Sequence, residues 1–231
     1  PILDPDMLPI LEAMRAAPPI DYAAMAMGEA REVFHRGMAP WVALTPQNLV
    51  IDEIAVPGAL GPLRARLYRP TAEKLPLIVF IHGGGWTFGS IDSHENEMRY
   101  LALASGCAVL GFDYRLGPEF PFPAPLDDVL AVVDAVRAGA LGDRADVRRL
   151  ALAGDSAGAN LALGALLALR EAGKPLPAAA GLFYGCFTPA DDTASHRLFG
   201  GGAFGLTTAR MRWYWDNFLG PAAGAPPALA A

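Results

Sequence analysis

The spacing of apolar residues changes period along the chain, and each change predicts a different kind of element. Asp4-Pro5 reads as an N-cap followed by proline at the first helical position, and Met7, Leu8, Leu11 and Met14 then form a helical stripe that Pro18-Pro19 ends. A second helix is predicted over residues 22–38, with Ala26, Ala30, Val33 and Phe34 on one face. From Leu49 the period becomes two. Residues 50–56 and 63–68 read as strands joined through Pro57-Gly58 and Gly61-Pro62. Arg64 and Arg66 alternate with apolar neighbours there, as on a half-exposed hairpin. Residues 75–81 form a continuous apolar run, the mark of a strand buried on both faces.

Beyond that strand the two periods alternate. A helix capped by Ser93 runs to about residue 105, and a strand follows over 108–113. A helix over 126–138 turns Val129, Leu130, Val133 and Val136 inward. A short strand at 150–153 leads to a helix at 157–169 that is apolar nearly all round, hence buried. Residues 178–183 read as one more strand and 188–202 as irregular. Thr207 then caps a helix bearing Met211, Trp215 and Phe218, closed by Gly220-Pro221, and residues 222–231 have no periodicity. Strands alternating with helices from 75 to 183 predict a largely parallel α/β sheet.

Two of the junctions carry candidate chemistry. Gly154, Ser156 and Gly158 stand at G-x-S-x-G spacing between a buried strand and a buried helix. That context forces a sharp turn, lifts the serine hydroxyl clear of the sheet and aims the Ala157 amide at the same spot. His82-Gly83-Gly84-Gly85-Trp86 follows the other buried strand. Bare glycine backbone can present inward amides to a developing oxyanion, each contributing about 3–4 kcal/mol in a dry site. Asp113, Arg115, Glu119, Asp127 and Asp128 surround a proline-rich loop, and the favoured reading is that they pin it. Cys107 and Cys186 sit beside apolar runs and read as buried free thiols. His94 and His196 find no partner by spacing and read as surface or loop residues.

Composition narrows the setting. The chain of 231 residues is 53% hydrophobic, enough for the core of one α/β domain. A net charge of −6 argues against nucleic acid or an anionic membrane as partner. The stretch 175–190 is uncharged but contains three prolines and two glycines and is too short to span a bilayer. Asp4, Asp6 and Glu12 lie where a signal peptide would need an apolar segment, so a soluble cytoplasmic protein is expected. No cysteine–histidine spacing suggests a zinc site, and neither metal nor cofactor is expected.

Together, His82-Gly83-Gly84-Gly85-Trp86 and Gly154-Asp155-Ser156-Ala157-Gly158 resemble the hormone-sensitive-lipase-like (family IV) esterases of the α/β-hydrolase fold. The likeness extends through residues 113–119, where Gly117 replaces the family's usual alanine, through 123–128, and to the N-terminal helices and the aromatic helix at 207–219, which match that family's cap. The resemblance implies a mostly parallel sheet flanked by helices with a helical cap. It divides the chain into cap helices (1–45), hydrolase core (46–186), a second cap segment (187–220) and a tail (221–231). It implies a carboxylic-ester hydrolase for small acyl esters, with Ser156 as nucleophile and the amides of Gly83, Gly84, Gly85 and Ala157 as oxyanion hole. Trp86, Phe88, Phe204 and Leu206 are pocket-wall candidates by position, with core burial an equal alternative.

In that family two further strands carry the aspartate and histidine that complete the triad, and no counterpart stands in this sequence. The expectation is therefore a C-terminally truncated hydrolase that is nearly inactive alone. The alternative is a non-catalytic carboxylate binder on the same scaffold. Residues 178–183 would be an uncharged open edge, inviting self-association.

Overall fold

The computed structural model describes residues 4–42 and 45–220. Its centre is a six-stranded mixed sheet: β1 (Val50–Pro57), β2 (Pro62–Arg69), β3 (Leu75–Ile81), β4 (Ala108–Phe112), β5 (Ala145–Asp155) and β6 (Ala179–Phe183). The spatial order is β1-β2-β4-β3-β5-β6. β4, β3, β5 and β6 run parallel, and the β1–β2 hairpin joins β4 antiparallel. Among the described residues β6 pairs only with β5 and forms one edge of the sheet.

Alternation along the central strands builds two cores. Leu77, Val79 and Ile81 of β3 and Leu150 and Leu152 of β5 join one cluster, which takes in α4 (Ala124–Arg137) and α5 (Ala157–Glu171). Ile78 and Phe80 join the other, beside Met98 and Ala102 of α3 (Glu95–Ser105). Side chains on a strand alternate between faces, so an apolar run of this kind requires helices on both sides.

The remaining helices are α1 (Leu8–Ala16), α2 (Met27–Val42), α6 (Ala194–Phe199) and α7 (Thr208–Leu219). Arg31 of α2 ties the N-terminal region to the core. Its guanidinium donates to Thr87 O at 3.0 Å and Gly117 O at 3.0 Å, and grips Glu119 through both carboxylate oxygens. Asp128, wholly buried, likewise accepts from Arg115 and from the Ala59 amide, so these charges pin the loop as expected.

Three expectations are corrected here. Arg66 is not on a half-exposed hairpin face; it is buried and ion-paired with Glu53, Asp92 and Glu95. Ser93 does not cap α3; His94 occupies the cap position and the Ser93 hydroxyl turns back to Ser90. Both cysteines are free but only partly buried. The tail at 221–231 lies outside the described residues.

Candidate active site

The geometry of the site starts at the end of β5. Ser156 has φ 51° and ψ −117°, a conformation that L-residues rarely adopt. It is held there from both sides: its amide donates to Phe183 O at 2.9 Å, and its carbonyl accepts from Asn160 N at 3.2 Å. The two flanking glycines make the turn possible. A Cβ on Gly154 would lie 2.6 Å from the Gly158 carbonyl carbon, and one on Gly158 would collide with Ile81 O. Strand β3, strand β5 and the first turn of α5 therefore meet with no side chain between them, at the carboxyl end of the parallel strands where open α/β sheets bind ligands.

The glycine loop after β3 is fixed one peptide plane at a time. Tyr114 Oη donates to His82 O at 2.8 Å, and the amide of the same plane, Gly83 N, donates to Asp155 Oδ1 at 2.7 Å. His82 Nδ1 bonds Gly83 O at 2.8 Å, and the next amide in that plane is Gly84 N. Gly84 O accepts from Phe88 N at 2.9 Å and Thr87 N at 3.2 Å, and the next amide is Gly85 N. A trans peptide is planar with its N–H opposed to its C=O, so anchoring each carbonyl aims the following amide. Among the described residues, the amides of Gly84, Gly85 and Ala157 donate to no protein acceptor. The amide of Gly83 is engaged by Asp155, so of the four expected donors it is the one already occupied.

Substitution at Gly84 or Gly85 is excluded twice over. Their φ values are 110° and 62°, and added Cβ atoms would meet Phe88 O and the Tyr214 ring respectively.

Two cavities flank Ser156. One, of about 230 Å³, is lined by Gly84, Gly85, Trp86, His94 and Asp155. The other, of about 320 Å³, is lined by Tyr184, His196, Phe199, Phe204 and Thr208. Ser156, Cys186, Leu206 and Met211 border both. Thus Trp86, Phe204 and Leu206 reach the site. Phe88 lines neither cavity. It is wholly buried against Tyr22 and Phe34, with ring centroids 4.9 and 5.1 Å away, because the turn closed on Gly84 O directs it toward the N-terminal helices.

Sequence reasoning passed over two residues at this site. The Sγ of Cys186 stands 3.7 Å from Ser156 Oγ, the one side-chain hydrogen-bonding partner of that hydroxyl among the described residues. His94 is not a surface residue: it is buried, and its Nε2 faces Asp155 Oδ2 at 3.7 Å. Burial pushes Asp155 up, but His94 and the Gly83 amide outweigh it and hold the carboxyl below its ordinary value. His196 bonds Thr208 Oγ1 through Nδ1 at 3.0 Å in the second cavity.

Comparison with known proteins agrees with this geometry. A family model described as alpha/beta hydrolase fold matches residues 78–231. The acetyl esterase of Salmonella schwarzengrund is 36% identical over 183 residues, covering 78% of this chain and 55% of that protein. The chain thus spans about half the length of the curated relatives it matches. An ester hydrolase from the metagenome of Lake Arreo, solved with a bipyridine phosphonate derivative, superposes with a TM-score of 0.89 at 33% identity over 96% of this chain and 72% of the other. An esterase of Pyrobaculum calidifontis gives 0.88 at 31% identity, over 99% of this chain and 74% of the other. With the elbow, the glycine loop and the strand order in place, the chain belongs to the α/β-hydrolase family, on its hormone-sensitive-lipase-like branch.

Proposed function

We propose that this chain carries the nucleophile and oxyanion hole of a carboxylic-ester hydrolase acting on small acyl esters. The observation that carries the reading is the convergence of a strained Ser156 with the unengaged amides of Gly84, Gly85 and Ala157. In this scheme Ser156 Oγ attacks the ester carbonyl and the carbonyl oxygen becomes an oxyanion facing those amides. A base takes the Ser156 proton and returns it to the leaving alcohol, and water then releases the acid from the acyl-serine. Trp86, Phe204 and Leu206 would bound the acyl and alcohol groups. No histidine among the described residues bonds Ser156 Oγ, so this reading requires a base that the described residues do not supply. An acidic chain in which no described helix is long and apolar enough to cross a membrane fits a small-molecule substrate and the cytoplasm.

That same lack of a nearby base favours the competing reading, a carboxylate binder. Fluorophosphonate labelling of the full-length protein separates the two. The hydrolase reading expects covalent phosphonylation of Ser156, abolished by Ser156→Ala. Labelling that survives the substitution, or a full-length protein that binds short carboxylates without reacting, would overturn it.

A further inference from the structure

The scheme above uses Asp155 for nothing beyond the Gly83 amide, and uses His94 not at all. Yet Asp155 is a buried carboxylate, and among the described residues no lysine or arginine reaches it. An unpaired buried charge is strongly destabilising, so the partner it does have must carry the compensating charge. That partner is His94, whose Nε2 faces Asp155 Oδ2.

The other end of the ring accommodates the same state. Ser93 Oγ accepts from Ser90 N at 2.9 Å and lies 3.1 Å from Ser90 O and 2.9 Å from His94 Nδ1. A hydroxyl has one proton, and a carbonyl can only accept. With that proton on Ser90 O, which also accepts from His94 N at 3.2 Å, Nδ1 donates to Ser93 Oγ; with it on Nδ1, the ring is the Nε2–H tautomer. Nε2 must carry a proton to attract Asp155. The Asp155 charge selects the first arrangement, in which both ring nitrogens are protonated.

We propose that His94 is a positioning residue: as an imidazolium it fixes Asp155, whose Oδ1 holds the Gly83 amide and so sets the entry of the oxyanion loop. The inference rests on the reading of Gly84 and Gly85 as oxyanion donors. Its neighbour His82 has the opposite state. Burial, and then the charge of His94, pull His82 down to about 3, so it stays neutral and its Nδ1–H serves Gly83 O. The loop is thereby gripped through one amide by a charged pair and through the next carbonyl by a neutral ring.

Protonation follows the same geometry. Burial pushes His94 down, but Asp155 and Glu97 outweigh it and hold the imidazole above its ordinary value. The other titratable groups facing the pair are His82 after β3, Tyr114 after β4, and Tyr184 and Cys186 after β6. Tyr114 and Cys186 are raised, chiefly by burial, and Tyr184 beside the Asp155 carboxylate is pushed up to about 12, so all three stay neutral near pH 7. The clamp is intact above the lowered Asp155 value and below the raised His94 value. It is lost as pH rises through the latter.

The test has two arms. In nitrogen-15 histidine NMR of the 231-residue chain, both His94 ring nitrogens should be protonated at pH 7. Asp155→Asn should return the ring to neutral while leaving an oxygen for the Gly83 amide. In the full-length protein, His94→Gln should lower kcat on a short ester about 10–100-fold with KM little changed. Asp155→Asn should act likewise, and the alkaline loss of kcat should vanish in both. A neutral His94 in the parent chain overturns the proposal, as does an unchanged kcat in His94→Gln beside an active parent. A full-length parent that hydrolyses no ester would defeat the functional reading alone. Amide exchange then decides: faster exchange at Gly83 to Gly85 in His94→Gln supports the clamp, and unchanged exchange overturns it. If a variant fails to fold, the titration of His94 in the parent chain decides by itself.

Discussion

At the scale of single residues, the glycines around Ser156 differ in kind from glycines elsewhere. Gly158 cannot carry a Cβ without driving it into Ile81 O, whereas a Cβ on Gly37, inside α2, meets nothing within 4 Å. Gly158→Ala should therefore cost about 1–3 kcal/mol through overpacking. Gly37→Ala should stabilise by about 0.5–1 kcal/mol, since alanine is the better helix former. Urea denaturation of both variants checks the pair; a Gly158→Ala midpoint at or above that of the parent would refute the close contact. Ser156 and the glycine loop were legible in the sequence because their spacing is local. His94 and Arg66 were not. Their partners, Asp155 for one and Asp92 and Glu95 for the other, lie far along the chain, and only strand pairing brings them together.

At the scale of elements, period and capping located most strands and helices, and the misses have physical causes. β5 begins at Ala145, well before the apolar run at 150–153, because Arg148 and Arg149 reach out to Asp146 and break the apolar pattern without breaking the strand. α6 was hidden because six residues make less than two turns, too few to show a period; Thr193 caps it. α2 starts at Met27 and not near Tyr22, where a short 3₁₀ turn capped by Asp21 stands instead. The strand at 178–183 was foreseen as an open edge, and β6 is at the edge of the sheet. It presents Phe183 46% exposed, with Tyr184 just beyond it at 76%. An edge with no lysine, proline or charge is a template for pairing with another chain. The 231-residue chain is expected to self-associate at micromolar concentration in light scattering. A monodisperse monomer with a concentration-independent melt would refute this.

At the scale of the whole molecule, alternation of strands and helices was enough to predict a layered α/β fold. It did not predict the strand order, which depends on which hydrophobic edges meet in space. Nor did it predict that residues from β3, β5 and α3 converge beside one serine. On the proposed reading the site so assembled supplies a nucleophile and oxyanion donors, and no described histidine bonds Ser156 Oγ. With no described histidine on Ser156 Oγ, and triad members contributing up to about 10⁶ in kcat, the 231-residue chain is expected to turn over nitrophenyl acetate far more slowly than the full-length protein. Equal turnover by the two would show that a described residue serves as base. Arg31 adds a point about modularity. Its guanidinium caps two carbonyls, Thr87 O and Gly117 O, that belong to the walls of the glycine loop and the proline-rich loop. A chimaera that grafted the first 45 residues of a relative onto this core would have to bring an arginine to the same place. Without it, those carbonyls and Glu119 would be left unmatched, and the seam would open beside the glycine loop, away from the splice itself.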